Sequence, residues 1–175
     1  MRLRPTRVAS LGLLALIMGA CAARAPEPPA GLTVDWPRYL GRWHELARFD
    51  HTFERGLVGV TADYATLPDS RIEVLNAGRR ETLDGKLSQA RGTARITGPA
   101  SLSVTFFWPF SGAYRVLALG DDYRWAVVGS STRSYLWFLH RDPQATPTDW
   151  AAMEAVARDA GYDLAGLISV PQAVR

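Results

Sequence analysis

Tyr39-Leu40-Gly41-Arg42-Trp43-His44-Glu45-Leu46-Ala47-Arg48-Phe49 is the stretch whose reading decides the fold. Its mixture of apolar and polar residues suits one strand with both faces in use. From Trp43 onward a period of two returns in segment after segment. Val60, Ala62 and Tyr64 alternate with Thr61 and Asp63; Ile72, Val74 and Asn76 with Glu73 and Leu75; Ala90, Gly92, Ala94 and Ile96 with Arg91, Thr93 and Arg95. Leu102, Val104, Phe106 and Trp108 follow, then segments 112–119, 123–130 and 135–141. With 43–49 these make eight strands. Turn chemistry separates them, at Pro68-Asp69-Ser70, Asp84-Gly85, Gly98-Pro99, Pro109 to Gly112, Gly120-Asp121-Asp122 and Ser131 to Ser134. Such short connections predict an antiparallel up-and-down meander, and eight strands can close into a barrel around one small ligand. The fold class is therefore all-β, with no second domain and no internal repeat.

Two helical pieces are expected beside the barrel. Segment 34–40 reads as a single turn capped by Asp35. Segment 147–160 reads as an amphipathic helix, with Thr146 as N-cap, Pro147 at the first position, Asp149 in the first turn and Gly161 as the stop. Trp150, Met153, Ala157 and Ala160 form its apolar face, which must cover the barrel exterior. Leu46 and Phe138, outward by alternation, are the residues expected beneath it. Segment 167–171 reads as a short extra edge strand.

The chain of 175 residues is 47% hydrophobic, enough for a real core. Its isoelectric point of about 9.3 suggests a polyanion partner, but the first twenty residues undo that reading. Arg2, Arg4 and Arg7 precede an uncharged apolar run, 8–20, with the form of a secretory signal and too short to span a bilayer. Without those three arginines, 17 basic residues face 17 acidic ones, so no nucleic-acid partner is expected. Cys21, the only cysteine, follows Ile17-Met18-Gly19-Ala20 directly. This resembles the bacterial lipobox, which implies cleavage at that point and a lipid on the thiol; Met18, where leucine is commoner, departs from it. The alternative is an ordinary secreted protein with a stray thiol. The organisation read from sequence is thus signal peptide 1–20, lipidated cysteine and proline-rich tether 21–33, and folded domain 34–175. Pro26, Pro28 and Pro29 make 22–31 polyproline-like, a spacer of about 30 Å at ~3 Å per residue.

The Gly41-x-Trp43 motif on the first strand, with Tyr135-Leu136-Trp137 leading to Arg141 on the last, resembles the lipocalin family. Phe53-Glu54-Arg55-Gly56 and Phe107-Trp108-Pro109-Phe110-Ser111-Gly112-Ala113-Tyr114 bring it nearer to the bacterial outer-membrane lipocalins. The resemblance spans roughly 34–172. It implies that Gly41, Trp43 and Arg141 meet at the closed end of the barrel. A planar guanidinium there can lie on the indole face while its N–H groups satisfy nearby carbonyls. It implies a fatty acid or lysophospholipid ligand, carried or stored at the bacterial outer membrane, with a lipid-anchored barrel facing the periplasm. Ala22, rather than aspartate, after the cysteine fits that destination, and family members can pair as homodimers. The chain departs from many eukaryotic relatives in having no second cysteine for a disulfide, and Asp121 stands where the family usually has threonine.

No motif for catalysis is present: no Gly-x-Ser-x-Gly, phosphate loop, His-x-x-x-His or Cys-x-x-Cys. His44, His51 and His140 are scattered and read as surface histidines, so neither an enzyme, a metal site nor a cofactor is expected. Counting from Trp43 and Arg141, alternation points Val60, Ala62, Tyr64, Ile72, Val74, Asn76, Ala90, Phe106, Tyr114, Val116, Tyr135 and Trp137 inward, in the family's phase. Small residues mixed with aromatics and almost no charge suit a cavity for a hydrocarbon chain with a polar end. A solid core is the alternative, as in a structural envelope lipoprotein; another is an apolar ligand of a different class, haem or a pigment. Glu45 also points inward. A buried carboxylate needs a partner, so it either pairs with Arg141 or is turned outward by local geometry.

Overall fold

The structure, a computed structural model, describes residues 25–173; Cys21 and segment 1–20 lie outside them. Eight strands, Gly41–Phe49 (β1), Leu57–Thr66 (β2), Ile72–Arg80 (β3), Leu87–Gly98 (β4), Ser101–Phe107 (β5), Phe110–Leu119 (β6), Trp125–Gly129 (β7) and Leu136–His140 (β8), pair antiparallel in chain order. β1 pairs with both β2 and β8, which closes the barrel. A ninth strand, Leu167–Ser169 (β9), adds to β1 from outside. The expected eight-stranded barrel is thus observed. β3 and β4 run on past the expected ends because their hairpin rises beyond the mouth, where both faces meet water and alternation fades.

β1 carries a bulge: Glu45 lies opposite Leu139, but the next partner of the bulged strand is Ala47, opposite Phe138. One extra residue reverses the side-chain phase. Trp43 and Glu45 face the interior, while Ala47 and Phe49 face out into the cluster beneath the long helix. Arg48, opposite the inward Trp137, sits on the interior side. Leu46, expected beneath the helix, is buried but does not join that cluster; Ala47 takes its place.

A four-residue helix, Trp36–Tyr39 (α1), is capped by Asp35, and the long helix Pro147–Asp159 (α2) by Thr146, whose hydroxyl accepts from Asp149 N at 3.1 Å. Met153 and Ala157 are fully buried against Leu117, Val127, Leu136 and Phe138, with Trp150 edge-on to Phe138 at 5.9 Å. This helix also corrects the reading of the histidines. His140 points out of the barrel yet is buried beneath α2, 3.5 Å from Asp149. His51 is buried in the β1–β2 connection, and half-buried His44 bonds Gln172. Outward from a barrel is not outward to water when a helix and a C-terminal segment cover the wall.

The proline-rich segment departs from a free spacer. Pro26 is buried, its carbonyl accepts from Arg115 Nη1 at 2.8 Å, and Glu27 pairs with the same guanidinium at 2.9 Å. Leu32 then packs on the core, and Val34 N donates to Pro99 O. From residue 26 onward the segment is docked on the barrel.

At the closed end Arg141 lies over the Trp43 ring, 3.8 Å from its centre. Its N–H groups donate to the carbonyls of Arg42, Arg38, Tyr39 and Tyr123. Trp43 Nε1 donates to Tyr39 O at 2.8 Å, which fastens α1 across the opening. Gly41 sits at φ +88°, and a Cβ there would lie 3.6 Å from Arg141 Nη1, so left-handed backbone sets the need for glycine more than space does. Trp43→Ala should cost roughly 3–5 kcal/mol. Denaturant melts of Trp43→Ala, Arg141→Ala and the double variant should show losses that are not additive, because the two side chains touch; additive losses would count against the stacking as a source of stability.

Candidate functional site

Above this floor the barrel encloses a cavity of about 660 Å³. Val60, Ala62 and Tyr64 from β2, Val74 and Asn76 from β3, Ala90 from β4, Phe106 from β5, Tyr114 from β6, and Tyr135 and Trp137 next to and on β8 line it. These were expected to share the interior, and the register brings them together: Ala62 lies opposite Asn76, Asn76 opposite Ala90, and Tyr64 opposite Val74. Ile72 and Val116 do not line it. They are inward but fully packed into the closed-end core with Trp43, Ala94 and Leu102. Alternation gives the face of a residue and not its depth. The Phe106 ring fills the space over Gly92, where a Cβ would come within 2.8 Å of it, while Ala90 remains open to the lumen.

Three phenols form the polar part of the cavity floor. Tyr64 and Tyr39 both meet Tyr114, at 3.0 and 2.5 Å between oxygens. Burial pushes all three phenols up from their ordinary range, so they stay neutral and serve one another as donor and acceptor. Asn76 Oδ1, by contrast, is buried without a hydrogen-bond partner.

Alternation assigns no phase to the β1–β2 connection, and it contributes Phe53 and Glu54 to the wall, next to Leu57 at the start of β2. Its one visible signal was the Phe53-Glu54-Arg55-Gly56 motif. Phe107 and Phe110 at the β5–β6 hairpin complete the mouth, 76% and 77% exposed, with Trp108 between them at 88%. Glu45 is buried on the wall, and its partner is Arg48 at 2.8 Å, not Arg141. Neither sequence alternative holds, because the bulge supplies a closer guanidinium. Arg48 also donates to the carbonyls of Glu54 and Leu57 and so ties the connection to the barrel. Burial, and after it the charge of Glu54, hold the Glu45 carboxyl well above the usual carboxylate range, against the pull of Arg48. Glu54 accepts from Trp137 Nε1 at 3.1 Å and stands 3.0 Å from His51 Nε2. The imidazole is out of line for a hydrogen bond, and both its nitrogens lack a partner. Among the described residues no group of three or more His, Cys, Asp or Glu side chains could hold a metal.

The lipocalin-like domain family matches residues 34–172. The chain belongs to the lipocalin family. It is 43% identical over 179 residues to the outer membrane lipoprotein Blc of Escherichia coli (strain K12), covering 98% of both chains. It is 34% identical to the protein of that name in Vibrio cholerae, covering 95% of this lipocalin and 99% of the relative. Mouse apolipoprotein D is 30% identical, over 86% and 83% of the two chains. Among solved structures, lobster apocrustacyanin A1 superposes with a TM-score of 0.66 at 17% identity, over 80% and 81% of the chains. Insecticyanin from the tobacco hornworm gives 0.67 at 16%, over 86% and 85%. The last two share the fold. A lipocalin with this cavity is a binding protein for a hydrophobic ligand.

Replacing Arg48 with methionine leaves the buried Glu45 carboxyl without its cation, which should cost roughly 3–5 kcal/mol near neutral pH. Without the guanidinium the folded-state pKa of Glu45 rises further, so stability is present below the ordinary carboxylate range and lost as pH climbs through the raised value. Urea melts of Arg48→Met at about pH 5 and about pH 8 should therefore show the larger deficit at the higher pH. An equal deficit at both would mean that Arg48 acts only through its carbonyl bonds.

Proposed function

We propose that this lipocalin holds a single-chain lipid, a fatty acid or a lysophospholipid, in the barrel for storage or transport at the bacterial outer membrane. The cavity carries the reading: about 660 Å³, predominantly apolar, closed at one end by Trp43 and open at the other between Phe53, Phe107 and Phe110. Each buried methylene contributes up to about 0.8 kcal/mol before the costs of association, so affinity should rise with chain length until the tail meets the phenol floor. The exposed rings of Phe107, Trp108 and Phe110 extend the apolar wall beyond the mouth. They give an acyl chain a step between bilayer and lumen, and they are the surface over which two copies would pair. Haem is the less supported ligand, since among the described residues no histidine, cysteine or methionine lines the lumen.

The blocking test uses Ala90, whose small side chain is open to the lumen, with the exposed, outward Arg91 beside it as control. Ala90→Trp should abolish saturable binding of a fluorescent fatty acid while the circular dichroism stays native, and Arg91→Trp should bind as the parent does. Equal binding by both variants would place the ligand outside the barrel.

Placement at the membrane rests on Cys21, outside the described residues, and on the outer membrane lipoproteins this chain resembles. Since 26 and 27 are docked on Arg115, the chain between anchor and barrel is short. The five steps from Cys21 to Pro26, at about 3 Å each, would span roughly 15 Å. Cys21→Ser should move the protein from the membrane to the soluble fraction; retention in the membrane would overturn the anchor.

A further inference from the structure

Two hydrogen-bonding groups toward the closed end of the lumen are left over when the protein's own bonds are counted. The first is a donor. Tyr39, Tyr64 and Tyr114 carry three hydroxyl protons and share two hydrogen bonds, Tyr64 donating to Tyr114 at 3.0 Å and Tyr39 and Tyr114 meeting at 2.5 Å. If Tyr114 donated to Tyr39, the spare proton would belong to Tyr39, which is shut inside the core away from the lumen wall. A buried donor without an acceptor is costly. With Tyr39 donating, Tyr114 accepts two bonds, and its own proton is the spare one on a residue that lines the lumen. The second group is an acceptor. Asn76 lines the lumen between Ala62 and Ala90, its partners on the neighbouring strands. Neither alanine side chain offers a polar atom, and Asn76 Oδ1 has no hydrogen bond. Nothing therefore holds that oxygen, and a turn about the last side-chain bond, a broad and soft torsion, presents it to the lumen. Val74, one inward step nearer the floor on β3, lies opposite Tyr64. The amide thus stands about 7 Å along the wall from the level of Tyr64, on the order of two hydrogen bonds end to end.

A spare donor and a spare acceptor in an apolar lumen fit one neutral group that accepts and donates at once, which is a hydroxyl. A carbonyl only accepts, and a carboxylate would bring a charge where no lysine, arginine or histidine lines the wall among the described residues. We infer that the lumen selects an acyl chain bearing a hydroxyl group on its buried half, seated between the Asn76 amide and the Tyr114 hydroxyl. The inference rests on the barrel-binding reading and adds the chemistry of the buried part of the ligand. An unsubstituted chain leaves both groups unanswered. In a lumen without them, a hydroxyl on the buried half would only weaken binding, through the water it gives up. The sign of the hydroxyl's effect therefore separates the two cases.

The test is displacement of a fluorescent fatty acid from purified, lipid-depleted protein. The competitors are octadecanoic acid and its 2-hydroxy, 12-hydroxy and 18-hydroxy forms, all below their micelle concentrations. The tighter of the two deep forms, 12-hydroxy or 18-hydroxy, should bind about fivefold more tightly than the unsubstituted acid. The 2-hydroxy form, with its hydroxyl near the mouth, should bind about as the unsubstituted acid does. Asn76→Leu and Tyr114→Phe, each checked for native circular dichroism, should bring the fivefold ratio to one or below. Should either variant fail to fold, the series on the unaltered protein decides alone. Deep forms that bind no better than the unsubstituted acid would overturn the inference, since water would then serve both groups equally well. So would an equal gain for the 2-hydroxy form, or a ratio that survives both substitutions. Failure of all four acids to displace the probe would instead strike the barrel-binding reading itself.

Discussion

The guanidinium of Arg141 on the face of Trp43 is the contact on which the cavity depends. A barrel of eight strands has two ends, and nothing in strand pairing seals either. Here one cation accepts the indole face at 3.8 Å and donates to carbonyls from α1, the start of β1 and the turn before β7. Arg38, Tyr39 and Tyr123 lie outside the strands, so no ladder supplies a donor to their carbonyls, and a carbonyl left without one where water is excluded is costly. Arginine suits the position because its planar fork stacks and donates at once, which an ammonium cannot do. With the floor fixed, Tyr39, Tyr64 and Tyr114 satisfy one another above it, and the lumen becomes a blind pocket instead of a channel.

Much of this was legible in the sequence, for reasons that also mark where legibility ended. Ala62, Tyr64, Val74 and Asn76 were placed correctly because β2 and β3 pair without interruption between Thr61 and Thr66, so a period of two counts true from residue to residue. The same count failed along β1 after Glu45, where the bulge inserts a residue that no local composition announces. Leu46 lost its expected place beneath the helix as a result, and Arg48 came to the interior side. Ile72 and Val116 failed differently. Their face was right, but where floor ends and cavity begins is decided by the height of Trp43 in the assembled barrel. His140 and Pro26 were misread as exposed because their partners, Asp149 and Arg115, come from elements that packing alone brings near.

The bulge also explains how the lumen can hold two carboxyls at all. A carboxylate buried in an apolar cavity without a partner would be expelled or protonated. By reversing the phase of β1, the extra residue delivers Arg48 to the interior side three residues after Glu45, where it makes a 2.8 Å ion pair. The same guanidinium reaches the carbonyls of Glu54 and Leu57, which holds the β1–β2 connection down against the barrel and sets Glu54 on the wall. Arg48 thereby neutralises the cluster only from behind. Its remaining Nε–H is buried and unpartnered, and among the described residues no guanidinium reaches the face turned to the lumen.

That asymmetry orients whatever enters. The phenol floor is neutral and its three hydroxyls are linked by two hydrogen bonds, so it offers a charged group little and a terminal methyl small penalty. The β2–β5 side is lined by Val60, Ala62, Val74, Ala90 and Phe106, which suits hydrocarbon. The charged and aromatic side lies at β1, β8 and the connection that folds over them, nearer the mouth. An amphiphile that entered polar end first would carry a charge past apolar wall to a neutral floor. Entering tail first, it leaves the polar end at the mouth, in water. Desolvation thus favours one orientation, tail toward Trp43 and polar end toward Phe53.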